Sequence, residues 1–197
     1  MKFRPSFFLV FLAFALISFL PSCSILNQGK ELKTFADCEF TVGTVKVVNI
    51  AGIDVSGFSK ISDLSINDYA KLVQEAFSKE IDSRLEIEII ALNNHDKRAY
   101  ISGVDWELYL KDNLYSKGVI SKPVEVLPHQ QSSFVVETNI NLYQIIHSKS
   151  LMELLSIIIE KQDAVNLSDL DAVLRVKPWY QSGTTVKKYP GFVRIKL

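Results

Sequence analysis

The sequence is short of the residue types that announce crosslinks or chemistry. Cysteine occurs twice in 197 residues, at Cys23 and Cys38, which excludes a disulfide framework and leaves the fold to stand on its core. Histidine occurs three times; His95, His129 and His147 sit in or beside polar loops, none at a metal-ligand spacing with cysteine, aspartate or another histidine. There is no G-x-G-x-x-G, no P-loop and no G-x-S-x-G nucleophile turn. His95-Asp96 supplies the residue types of a base and its orienter, but neighbours in sequence do not make a triad. An excess of charge is also missing: 22 basic side chains balance 22 acidic ones, which removes the electrostatic reason to expect nucleic acid. These absences predict a protein that is not an enzyme and carries no cofactor and no metal.

What the chain does have is apolar side chains, 48% of the total with 11% aromatic, enough for a packed domain and too many for a disordered one. The sharpest local pattern comes first. Lys2 and Arg4 precede an apolar run of 14 residues from Phe7 to Leu20, broken only by Ser18, the layout of a secretory signal. A membrane span needs about 20 such residues, so a single-span anchor is the weaker reading. Leu20-Pro21-Ser22-Cys23 then resembles the lipobox of bacterial lipoproteins, apolar at −3 and small at −1 before a cysteine that receives a diacylglyceryl thioether; Pro21 departs from the usual residues at −2. The resemblance implies cleavage after Ser22 and lipid attachment at Cys23, where two or three acyl chains anchor stably. Ser24 is not the aspartate that retains some lipoproteins at the inner membrane, and no acidic run follows Cys23. Both features favour an outer-membrane position facing the periplasm. Ordinary cleavage further on, with Cys23 lost or free, is the alternative.

The chain accordingly divides into a signal peptide over 1–22, a lipidated N-terminus and polar tether over 23–35, and one domain over 36–197. Removing the first 22 of the 197 residues leaves 175, with 20 basic and 22 acidic side chains, enough chain for a single core. With Cys23 lipidated, Cys38 has no partner; it alternates with Phe40 and Val42 and reads as a buried small hydrophobe between Asp37 and Glu39.

Period-two patterning predicts a β domain with two inserted helices. Cys38 to Val48 reads as about two strands, with Gly43 allowing a bulge or phase change. Ile53 and Val55 form a short strand. Ser65 and Asp68 resemble a capping box for a packing helix whose stripe is Tyr69, Leu72, Val73, Ala76 and Phe77. Leu85 to Ile89 alternates strictly and ends at Asn93-Asn94. Val104, Trp106, Leu108 and Leu110 share one face of the next strand, which turns at Lys111-Asp112-Asn113 into Leu114 to Ile120. Val124 and Val126 precede Pro128, and Phe134 to Ile140 alternates again. Ser150 with Glu153 caps a second helix bearing Leu151, Leu154, Leu155 and Ile158, broadened by Ile157 and Ile159. Ala172, Leu174 and Val176 form a strand before Pro178, and Val193, Ile195 and Leu197 end the chain in strand phase. Seven or eight strands with these turn spacings predict a mainly β, immunoglobulin- or fibronectin-like antiparallel sandwich.

Leu85 to Leu142 resembles the core of the type 2 late embryogenesis abundant (LEA) family, also described as the water-stress and hypersensitive-response domain. The residues that carry the likeness are Leu92-Asn93-Asn94, Ile101-Ser102-Gly103-Val104-Asp105-Trp106-Glu107-Leu108-Tyr109-Leu110, Gly118, and Leu127-Pro128-His129-Gln130-Gln131-Ser132-Ser133. The family's usual Asn-Pro at the first turn is Asn93-Asn94 here. The resemblance implies a small non-catalytic sandwich associated with stress protection, and some members are proposed to bind lipid in an apolar groove. In physical terms, Gly103 allows bending or close backbone approach and Trp106 supplies a large buried ring.

Three weaker patterns remain. Asp105 and Glu107 share a strand face and mimic a carboxylate pair, although a solvated face is the commoner outcome. Lys187, Lys188, Arg194 and Lys196, with Trp179-Tyr180 nearby, suggest a membrane- or partner-facing patch, against the plainer reading of a solvated edge strand. Asn166-Leu167-Ser168 matches a glycosylation sequon. The expected function is a membrane-anchored, non-catalytic binding or structural module of the cell envelope, its partner an unidentified envelope protein or lipid. The alternative is a carrier of lipid or another apolar ligand, with the two helices covering a groove between the sheets; a hydrolase is a distant third.

Overall fold

The computed structural model describes residues 22–145, 151–160 and 171–197. The signal segment up to Pro21, His147, the expected cap Ser150 and the sequon at Asn166 lie outside the described residues. In chain order the elements are helix α1 (Ser22–Ala36), strands β1 (Glu39–Ile50) and β2 (Ile53–Asp54), a 3-10 turn (Ile61–Asp63) and helix α2 (Ile66–Ser78). Strands β3 (Asp82–Leu92), β4 (Ala99–Ile101), β5 (Gly103–Leu110), β6 (Asn113–Ile120), β7 (Val124–Val126) and β8 (Gln131–Asn141) follow. Helix α3 (Leu142–Ile145), helix α4 (Leu151–Leu155) with a π-helical turn (Ser156–Glu160), and β9 (Ala172–Ser182), β10 (Thr185–Lys188) and β11 (Val193–Lys196) complete the fold.

The alternation in the sequence sets which face of each strand is buried. On β3, Leu85, Ile87, Ile89 and Ala91 point inward, and on β8 Phe134, Val136 and Ile140 join them. On the opposing sheet Val104, Trp106 and Leu108 of β5 and Ala172, Leu174 and Val176 of β9 do the same. Two antiparallel sheets result, one ordered β2-β1-β3-β8 and one ordered β10-β9-β5-β6, with β11 also on β9, and a short β4-β7 ribbon beside them. Their inner faces enclose one apolar core, the architecture of a β-sandwich.

Several expectations are refined. The pattern from Cys38 to Val48 is one long strand, β1, whose register against β3 shifts between Val42 and Val45. Gly43 lies at this bulge, where the Glu88 carboxylate folds over it and accepts the Thr44 amide at 3.3 Å. The Lys111-Asp112 turn has φ of 47° and 64°, the two positive values of a type I′ hairpin. Strand β9 runs on past Pro178 to Ser182. The Pro178 carbonyl accepts the Tyr189 amide, away from β5, so its missing N–H faces the junction between β11, paired at residues 173–176, and β10, paired at 179–182. The bond forgone is the return bond to the Tyr189 carbonyl, just past the Lys188–Trp179 pair that ends the β10 register, and proline is tolerated at such a ladder end, away from the central β5 ladder.

The helices differ more from expectation. Helix α2 has the expected cap, Ser65 Oγ accepting the Asp68 amide at 3.1 Å, but of its apolar stripe only Leu72 is fully buried, while Phe77 is 84% and Tyr69 40% exposed. The helix touches the core along a strip narrower than its apolar face. In the second helix the π turn changes the angular step, so the consecutive residues Ile158 and Ile159 are both buried together with Leu155.

The polar segment read as a tether is helix α1, and its second half is docked. Leu32, Thr34 and Phe35 are buried, with Phe35 edge-on to Phe40 at 5.5 Å and tilted against Phe134 at 6.4 Å. Arg98 clasps Glu31 with both Nε and Nη2, at 3.2 and 2.8 Å. The helix packs on β4 and β9 and closes one end of the sandwich.

Candidate functional site

Cys23 belongs to α1, but its side chain lies outside the described residues. Cys38 stands at the other end of that helix. It is buried, its Sγ hydrogen-bonds the Thr34 carbonyl at 3.4 Å, and burial, reinforced by the Asp37 charge, pushes the thiol up to about 11. A thiol so placed is a packing group and not a nucleophile at neutral pH.

The structure separates the two residues of His95-Asp96. His95 Nε2 meets the Asp37 carbonyl at 3.3 Å, while Asp96 pairs with His129 at 2.9 Å on an exposed rim. The nearby Thr34 hydroxyl donates to the Lys30 carbonyl within the helix. Beneath this rim lies Asn93, which the sequence presents only as a turn residue. It is fully buried; its amide nitrogen donates to the carbonyls of Lys97, Val126 and Leu127 at 2.8 to 3.2 Å and its oxygen accepts the His95 amide at 3.1 Å. Continuation of the odd-numbered inward phase of β3 is the signal that picks it out from Asn94.

On the outer face of β5 the carboxylates are neutralised one by one. Asp105 is ion-paired with Lys188, and Glu107 accepts the Tyr109 hydroxyl at 3.1 Å and lies 4.0 Å from Arg175. Arg175 is held between the rings of Tyr109 and Phe192, at 4.9 and 4.5 Å. The carboxylates therefore form a salt-bridged strand face. The basic C-terminal patch is divided likewise: Arg194 and Lys196 are exposed on edge strand β11, but Trp179 and Tyr180 are buried. A Cβ on Gly103 would lie 2.4 Å from the Trp179 ring and 2.4 Å from the Ile120 carbonyl, so Gly103 serves close approach.

The open side of the sandwich, between edge strands β8 and β6, holds a groove of about 880 Å³. Its floor is Trp106 and Phe134. Gly118 is bare because the Trp106 ring lies 2.6 Å from where its Cβ would be, and the walls mix Ser116, Ser121 and Asn139 with Val119, Ile120 and Val135. Among the described residues, no group of three or more His, Cys, Asp or Glu is arranged to hold a metal, and no helix is long and apolar enough to cross a membrane.

Fold and groove together define an antiparallel β-sandwich, plugged by a helix at one end and open along one side. No family model and no curated protein matches the chain. Among solved structures it is similar to a protein from Archaeoglobus fulgidus (10% identity, 78% of this chain and 94% of that one, TM-score 0.32). It is also similar to an X-ray structure from the Northeast Structural Genomics Consortium (7% identity, 83% and 89%, TM-score 0.37). A third similarity is to a solution structure described as a late embryogenesis abundant protein (14% identity, 96% and 87%, TM-score 0.31). At such TM-scores these likenesses carry no argument about function.

Proposed function

We propose that this chain is a non-catalytic binding or structural module of the bacterial cell envelope, held at a membrane by lipid on Cys23. The observation that carries the reading is Leu20-Pro21-Ser22-Cys23 placed directly at the end of the apolar run from Phe7 to Leu20. The resemblance of Leu85 to Leu142 to the type 2 LEA family supports a module without bond-breaking chemistry, Ser24 supports the outer membrane, and the lack of an acidic run after Cys23 supports its periplasmic side. Helix α1 adds a mechanical consequence. Cys23 precedes Gln28, which is already partly buried, by five residues, about 8 Å of helix. A lipid there would hold the body close to the bilayer in a narrow range of poses, and partners would be met by lateral diffusion. The β6–β8 groove mixes Ser116, Ser121 and Asn139 with Val119, Ile120 and Val135 and does not offer the apolar lining an acyl chain needs, so the carrier reading stands second.

Intact-mass analysis of the chain purified from its native host tests this. The expected product begins at Cys23 with diacylglyceryl and acyl groups attached. Its one remaining thiol, Cys38, resists alkylation at pH 8 until the protein unfolds, because the thiolate is the reactive form. A soluble chain starting elsewhere, or a second thiol alkylated in the native state, overturns the anchor. Stoichiometric lipid other than the anchor would replace the module by the carrier.

A further inference from the structure

Strand β8 is an unprotected edge. It pairs with β3 over 11 consecutive residues without a bulge, and among the described residues no strand pairs its other side. The direction of its free groups follows from two bonds that extend the same ladder: the Leu142 amide donates to the Ile81 carbonyl, and the Asn93 amide to the Gln130 carbonyl. In both, the bonded residues stand directly opposite each other, so the even-numbered residues of this segment bond toward β3. Odd-numbered residues aim their N–H and C=O outward. Asn141 confirms the parity, its amide donating outward to the Tyr115 hydroxyl at 2.6 Å. Among the described residues, no protein group accepts the amides of Ser133, Val135, Glu137 or Asn139. Such an edge is a template for another strand unless proline, lysine or a bulge blocks it, and β8 has none of these.

Charge identifies the occupant. On the outer face, Lys46, Glu86 and Glu137 stand directly opposite one another across β1, β3 and β8. Glu86 and Glu137 face each other at the open edge, an unfavourable cross-strand pair, while the cations of this face, Lys46 on β1 and Arg84 opposite Asn139, leave the position beyond Glu137 without a basic partner on β8. A second copy paired edge to edge could not relieve it, because β8 contains no lysine or arginine. We propose that β8 binds an extended peptide segment of another protein by strand addition, with a lysine or arginine opposite Glu137, a β-branched residue beside the 44% exposed Val135 and small side chains turned into the groove over Trp106. This names the kind of partner for the module reading above and rests on it.

The test uses the full chain solubilised from membranes and two nine-residue peptides in which alanine alternates with Thr, Val, Lys, Val, Thr or with Thr, Val, Glu, Val, Thr. The Lys peptide slows hydrogen exchange at Ser133, Val135, Glu137 and Asn139 and binds about fivefold more tightly than the Glu peptide, the size of one cross-strand charge pair. Val135→Pro, which removes only an outward N–H, abolishes protection. Glu137→Lys, on the surface, reverses the peptide preference and keeps the test informative should the proline variant fail to fold. Protection elsewhere, no protection, an unchanged preference in Glu137→Lys, or a dimer in sedimentation whose β8 amides are already protected would each overturn the proposal. Lipidation is read by mass on the same sample, so anchor and strand addition can fail separately.

Discussion

Asn93 sits beneath an exposed loop and commits its whole amide to backbone groups of four residues, the carbonyls of Lys97, Val126 and Leu127 and the His95 amide. A carboxamide can do this because it donates and accepts at once; a carboxylate has no donor to offer the carbonyls of Lys97, Val126 and Leu127. Asn93→Asp is therefore expected to cost about 3 kcal/mol or more in urea unfolding, the penalty of buried acceptors facing an unsatisfied charge. The same change at the exposed Asn94 should stay within about 0.5 kcal/mol. Glycines obey a similar local logic: Gly103 and Gly118 are bare because Trp179 and Trp106 fill the space where a Cβ would stand. Trp106 and Gly103 were readable as a large core ring and a close approach. That the ring over Gly103 belongs to Trp179, 76 residues away, was not, since nothing local couples them.

Among the elements, the strands were legible because one buried face imposes strict alternation, except that β9 continues past Pro178, which in sequence marks a strand end. The helices were harder. In α1 the docked positions Gln28, Glu31, Leu32 and Phe35 follow helical spacing, yet only two are apolar, so the segment reads as polar. Its third anchor is an ion pair with Arg98, whose position depends on the loop before β4. Phe35 is fully buried between Phe40 and Phe134, and Phe35→Ala should destabilise the protein by about 3–5 kcal/mol, the usual cost of emptying an aromatic core site. A change near zero would mean that α1 is an appendage. Helix α2 fails in the opposite sense: a broad apolar stripe predicts burial, but only Leu72 is fully buried, with Ala76 packed partly against the core.

For the molecule as a whole, α1 docks on β4 and β9 while Phe35 reaches Phe40 and Phe134 of the other sheet, so helix and sandwich share one core. Native-state hydrogen exchange should find the Leu32 to Phe35 amides opening with the same free energy as the β3 and β5 amides, one cooperative unit. Exchange of those amides at markedly lower free energy would show a helix that detaches on its own and would return the segment to the role of a loose tether.

What the sequence determined by itself was every feature encoded within a few residues: the apolar run up to Leu20 just before Cys23, the alternating strands, the Ser65 cap, the Lys111-Asp112 turn and hence a mainly β class. The tertiary structure alone decided which residues distant in sequence meet. It docked α1, paired Asp96 with His129 instead of His95, buried Trp179 and Tyr180, and left β8 at an open edge. Alternation tells a strand which face to bury, but a strand's neighbours along the hydrogen-bonding direction are chosen by sheet order, and backbone donors and acceptors are the same in every residue except proline.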